Sequence, residues 1–160
     1  MLSTANLHDP QAWSFREACD AVDVRDRDRS VMSDVPKLSG PCGQFSHHHR
    51  LLRSRGRDDS PANLVLLLGS GTSGEHWWVH NNPDLATRLG YMVHAGEDPA
   101  RVPIWRVDAF GMRWGWFLQS VDGQLTPCTP PDDPQHLLPA ALAEFDRLVT
   151  VHRRTALRHL

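Results

Sequence analysis

Apolar positions along this chain come in short runs broken by turn-forming and charged stretches, and only the last run keeps a helical period for long. Residues 1–20 read as a polar arm with a short helix around Trp13 to Cys19. The SGPCG segment at 39–43 is turn material, and Gln44 to Leu51 is suited to the strand that follows it. After the polar loop RSRGRDDSP (53–61), Asn63 to Leu68 is an apolar run too short to assign by period alone. GSGTSG (69–74) is a flexible turn. A helix is expected from His76 to Arg88, interrupted or restarted at Asn81-Asn82-Pro83. Tyr91 to His94, Val102 to Val107 and Trp114 to Leu118 are strand-like, and Asp122-Gly123 is a hairpin-type turn leading into Gln124. TPPDDP (129–134) is a linker. Beyond it Leu138, Ala141, Leu142, Phe145, Leu148 and Val149 mark one face of an amphipathic helix, with Arg147, Arg153, Arg154 and Arg158 off that face. Docking of this helix onto the domain or a second subunit is favoured over contact with DNA. There is no internal repeat.

Composition narrows the class more than the function. The length of 160 residues suits one domain or a small module with extensions. No run of eighteen apolar residues exists, and the N-terminus lacks a basic patch followed by an apolar stretch, so neither a membrane span nor a secretory signal is expected. Cys19, Cys42 and Cys128 are odd in number and far apart, which argues against a disulfide framework and for a reducing, cytosolic setting. A formal charge of -2 disfavours a general nucleic-acid coat but leaves room for a local basic cluster. The alternating charges from Asp23 to Arg29 read as a solvated face.

Histidine carries the candidate chemistry. Ser46-His-His-His-Arg50 precedes the basic loop, and His76-Trp-Trp-Val-His80 places two imidazoles at i and i+4, one helical face, where both can grip a single ion. Imidazole is a common transition-metal ligand, although such a pair beside two tryptophans also suits a half-buried structural role. A zinc protease needs His-Glu-x-x-His, with the glutamate between the histidines. Here Glu75 lies before them, so that motif is not met.

Taken together, HHR at 48–50, SPANL at 60–64, GSGT at 69–72 and HWWVH at 76–80 resemble the HNH endonucleases, in the version common in actinobacteria and their phages. DPARVP (98–103) and LTPC (125–128) also look like the tail of that subfamily, so the resemblance covers roughly residues 25–128. It implies an α+β fold with a ββα-metal (His-Me finger) core at 25–90, after an arm at 1–24. A β-rich extension and linker at 91–134 and a C-terminal helix at 135–160 complete the expected organisation. It further implies His48, His76 and His80 as ligands of one divalent ion (Mg2+, Mn2+, Ni2+ or Zn2+), His49 as general base, and Asn63 as the tether that aims His49. Arg50, Arg53, Arg55 and Arg57 are expected to meet backbone phosphates without reading sequence. DNA is the implied partner, with packaging or other phage proteins as further partners, in the cytoplasm of a bacterium or a phage-infected host.

Relatives of this type also carry four zinc-binding cysteines. Here the matching positions are Ser30, Ser33, Leu68 and Glu75, so no structural zinc is expected, and Leu64 to Leu68 and the six tryptophans are left to hold the core. Three functions remain open: a metal-dependent DNA endonuclease, a catalytically silent protein of the same fold that binds DNA or a protein, and an unrelated metal-dependent hydrolase. SPANL and the arginine loop favour the first two.

Overall fold

The computed structural model describes residues 9–37 and 44–158; the expected turn at 39–43 and Cys42 lie outside them. The chain is α+β, with two small antiparallel sheets and four α-helices among the described residues. No described helix is long and apolar enough to cross a membrane.

Helix α1 (Phe15–Arg25) starts at Ser14, whose hydroxyl accepts from Glu17 N while the Glu17 carboxylate accepts from Ser14 N. This reciprocal capping fixes the first turn, so the helix is longer than the expected 13–19 segment. Ala18 and Val22 are buried against Leu64 and Leu66 of the hairpin.

That hairpin consists of β1 (Phe45–His49) and β2 (Leu64–Ser70), with His48 opposite Val65 and His49 opposite Leu64. Strand β2 is buried on both faces, which is why it reads as a continuous apolar run instead of alternating. Leu64 and Leu66 face α1, while Val65 and Leu67 join the main core. A tight turn then leads to α2 (Gly74–Asn81). Gly69 adopts φ 97°, and a Cβ there would lie 2.1 Å from Ser73 O, so only glycine fits. Pro83 opens α3 (Pro83–Arg88), confirming the break expected at Asn81-Asn82-Pro83.

Tyr91 to Val93 is buried as its apolar character demands, but it is no strand. Its amides bond to Ala86 O and Arg50 O instead of a ladder partner. The later runs do form a meander of β3 (Ile104–Val107), β4 (Trp114–Gln119) and β5 (Leu125–Pro127). Helix α4 (Leu138–Leu157) lays Ala141, Phe145, Leu148 and Val149 into the main core, which it shares with Val31, Met32, Val65, Leu67, Trp78, Ile104 and Trp116. The helix therefore docks on its own domain.

The charge run at 23–29 is not simply solvated. Asp26 is buried between Arg25 (Nε to Oδ1 2.7 Å) and Arg106 (Nη2 to Oδ1 2.8 Å), and accepts from Leu66 N. Burial opposes the charge on Asp26, but the two guanidiniums outweigh it and hold the carboxyl below its ordinary range.

Candidate metal centre

Strand alternation decides which histidine meets which helix. His48 shares the face of Val65 and is buried beneath α2, whereas His49 turns to the face of Leu64 and α1. On α2, His76 and His80 are one turn apart and both lean over His48. Ring centroids are 5.1 Å apart for His48–His76, 5.3 Å for His48–His80 and 4.9 Å for His76–His80. One ligand nitrogen from each lies within 4.8 Å of the other two.

The donor set suits a divalent transition ion. His48 Nε2 lies 2.8 Å from Tyr91 O, so it carries the proton and Nδ1 keeps its lone pair. Ligating histidines are commonly fixed this way, by donation from the other nitrogen to a carbonyl. His76 Nε2 and His80 Nε2 are 3.1 Å apart. Two nitrogens bound to one ion at about 2.0–2.1 Å stand about 3–3.4 Å apart, so this pair already has the spacing of co-ligands. Protonation is favourable as well. Burial pushes His48 down to about 3, with the neighbouring imidazoles adding to it and the Tyr91 carbonyl opposing it. Burial and then His80 lower His76. Both rings are therefore neutral near pH 7, the form that ligates.

His49 is not part of that trio. Its ring stacks on Phe15 (centroids 5.4 Å, planes 16° apart), and Nε2 is 2.8 Å from Asp59 Oδ1. Arg53 Nε lies 3.4 Å from the same nitrogen. One nitrogen cannot donate to Asp59 and accept from Arg53 together, and the shorter contact governs: Nε2–H serves Asp59, and Nδ1 is the basic atom. Arg53 instead serves Asp59, at 3.7 Å. Asp59 and Phe15 were not singled out from the sequence. Asp59 looked like an ordinary acid in a polar loop, and Phe15 lay in the supposed arm.

Asn63 is fully buried and closes the loop between the strands. Its Oδ1 accepts from Leu51 N at 2.6 Å, and Nδ2 donates to Leu51 O (3.1 Å) and Asp58 O (2.8 Å). It thus ties Leu51, two residues after His49, to Asp58, the residue before Asp59.

The four arginines separate. Arg50 was expected at phosphates, but it is wholly buried and its guanidinium donates to Gly90 O, Ala62 O, Pro99 O and Val102 O. Its peptide neighbours make it a structural clamp between the hairpin and the segment after α3. Burial, and then Arg25 and Arg106, press it down to about 9, still protonated at neutral pH. Arg55 is exposed and bends back to Val93 O. Arg53 and Arg57 have side chains 60% and 89% exposed at the rim beside Asp59.

Ser30, Ser33, Leu68 and Glu75 meet in a hydrogen-bonded knot. Glu75 Oε2 accepts from the Ser30 hydroxyl and from Leu68 N (3.0 Å), while Ser30 Oγ accepts from Met32 N and Ser33 N. His152 of α4 stands 3.6 Å from the other Glu75 oxygen. No family model matches the chain, and neither a curated protein nor a solved structure matches it.

Proposed function

We propose that this protein is a metal-dependent endonuclease of the HNH type, hydrolysing DNA phosphodiester bonds with one divalent ion. The observation that carries the reading is the convergence of His48, His76 and His80, from a hairpin strand and the helix after it, one residue away from the His49–Asp59 pair. Phosphodiester hydrolysis requires a water deprotonated as it attacks phosphorus, and stabilisation of charge on the departing 3′ oxygen. The three histidines would hold a divalent ion, which would supply that stabilisation as a Lewis acid. His49 takes the proton of the attacking water on Nδ1, while Asp59 holds Nε2–H and steadies the imidazolium that results. Asn63 keeps the loop that carries Asp59 in register with the strand end. Arg53 and Arg57 are the groups left to meet phosphates. A phage or bacterial DNA-processing setting, with packaging proteins as partners, follows from the resemblance alone.

The test is plasmid nicking with added Mg2+, Mn2+, Ni2+ or Zn2+ and a chelator control. His49→Ala should lower cleavage by about 10²–10⁴-fold with metal affinity nearly intact, the usual worth of a positioned base. His80→Ala should weaken metal binding, and excess metal should restore part of its cleavage. Asn63→Ala should fall between them. A wild-type protein that cuts under none of these ions would instead be a silent member of the fold that binds DNA or a protein.

A further inference from the structure

Beside His49, on the α1 side of the hairpin, lies a recess of about 400 Å3 lined by Trp13, Ser14, Phe15, Arg53, Arg57 and Asp59. It continues into a smaller hollow of about 150 Å3 along Pro10, Trp13, Arg57 and Asp59. The larger volume is within the range of small-molecule sites, about 300–1,000 Å3. Its walls are aromatic and its rim cationic. Phe15 stays 39% exposed although it stacks on His49, and the Arg53 guanidinium carbon stands 4.8 Å from its ring centroid. The Trp13 indole N–H is buried with no hydrogen-bond partner among the described residues. Two rings beside two exposed cations are the parts of a stacking platform for single strands.

We infer that this recess is a stacking subsite for one unpaired nucleobase next to the phosphate that His49 serves. The inference rests on the nuclease reading and adds a substrate preference to it. A base inside a duplex has both faces covered by its neighbours and cannot offer one to Trp13 or Phe15. An unpaired base can. Because Phe15 and Asp59 both line the recess and both touch His49, a base held in the recess against Trp13 and the exposed part of Phe15 adjoins the reacting phosphate, while Arg53 and Arg57 meet its backbone. The preferred substrate is therefore single-stranded DNA or a locally opened duplex.

The experiment needs no cleavage. In chelator, the full chain is titrated by fluorescence anisotropy against a labelled 12-nucleotide strand, its duplex, and the same strand with abasic sites at alternate positions. The single strand should bind tighter than the duplex, and abasic substitution should weaken it by roughly 5- to 150-fold, the worth of one stacked base. Phe15→Leu should weaken the normal strand by a similar factor and leave the abasic strand nearly unchanged. Trp13→Phe, which keeps a ring, should retain binding. Equal or tighter binding of duplex, or equal affinity for normal and abasic strands, would overturn the subsite, and the abasic comparison uses wild-type protein, so it stands even where a variant misfolds. Base-dependent binding without cleavage under any divalent ion would sink the nuclease reading alone. Cleavage without base-dependent binding would sink the subsite alone.

Discussion

Arg50 separates two accounts of the basic loop by stability. As a phosphate contact, Arg50 would behave like other surface charges, whose substitution shifts stability within about 0.5 kcal/mol and lowers the salt dependence of DNA binding by about one ion. As a buried clamp it must do more. Arg50→Ala removes donors from four carbonyls. Ala62 O keeps Gln119 Nε2 at 3.1 Å and Pro99 O keeps a long contact from Val102 N at 3.4 Å, whereas Gly90 O and Val102 O lose their strongest donor, at 2.6 and 2.7 Å. Charge-assisted hydrogen bonds contribute about 1.5–3 kcal/mol each, and relief from burying the guanidinium offsets part of the loss. A net loss of about 3–5 kcal/mol is expected, a large share of the about 5–15 kcal/mol available to a domain. Urea unfolding in chelator measures it, with Arg57→Ala as comparator, expected within about 0.5 kcal/mol of wild type. Arg50→Lys should recover little, because one ammonium cannot span four carbonyls. An Arg50→Ala protein as stable as wild type, with DNA binding weakened as in Arg57→Ala, would refute the clamp.

Two further outcomes are expected. His48 is driven down to about 3 by burial, so its folded form binds fewer protons than the unfolded chain; its stabilisation is complete above the unfolded value of about 6.5 and is lost as pH falls toward the folded one. In chelator this amounts to about 2 kcal/mol of lost stability at pH 5, and urea midpoints of wild type and His48→Gln should converge on acidification; parallel curves would show that His48 titrates normally. Protein purified without added metal should hold no zinc after chelator treatment. One retained equivalent bound through Cys42 or Cys128 would overturn the assignment of Ser30, Ser33, Leu68 and Glu75 to the zinc positions.

Features set by neighbours in sequence were legible, and those set by distant partners were not. The glycine turn at 69–74, the break at Pro83, the i,i+4 histidines and the stripe of α4 are local patterns, and each appears where the pattern puts it. The capping pair Ser14 and Glu17 was also local, and it was the signal that would have extended α1 and tied Phe15 to the core. By contrast, Asp26 meets Arg106 across 80 positions, so its burial left no trace in the alternating charges around it. Arg50 lies in a run that looks uniformly basic, and only its contacts with residues 12 to 52 positions away distinguish it from Arg53 and Arg57. Tyr91 to Val93 has strand-like composition, but its amides are taken by Ala86 O and Arg50 O, so burial survives and the strand does not. Asp59 became visible only when the loop folded back on His49.

The site's geometry is held by buried polar groups where thiolates are absent. Glu75 in the first turn of α2 takes bonds from Leu68 N at the end of β2 and from Ser30, which fixes the approach of α2 to the hairpin one residue before His76. The Tyr91 carbonyl fixes the opposing ring of His48, and Tyr91 is itself locked by its hydroxyl donating to Trp105 O at 2.7 Å. Both sides of the trio are therefore anchored through the main core, by β2 and the 30–33 segment on one side and by the start of β3 on the other. On the far face, His49 depends on different supports, Phe15 of α1 and Asp59 of the loop closed by Asn63. A hairpin covered on both faces thus gives two adjacent histidines different supports. Damage to the Glu75 knot should disturb metal affinity first, and damage to the Asn63 loop should disturb proton transfer first, because Glu75 bonds directly to Ser30 and the end of β2 beside His76, whereas Asn63 bonds directly to Leu51 and to Asp58 beside Asp59.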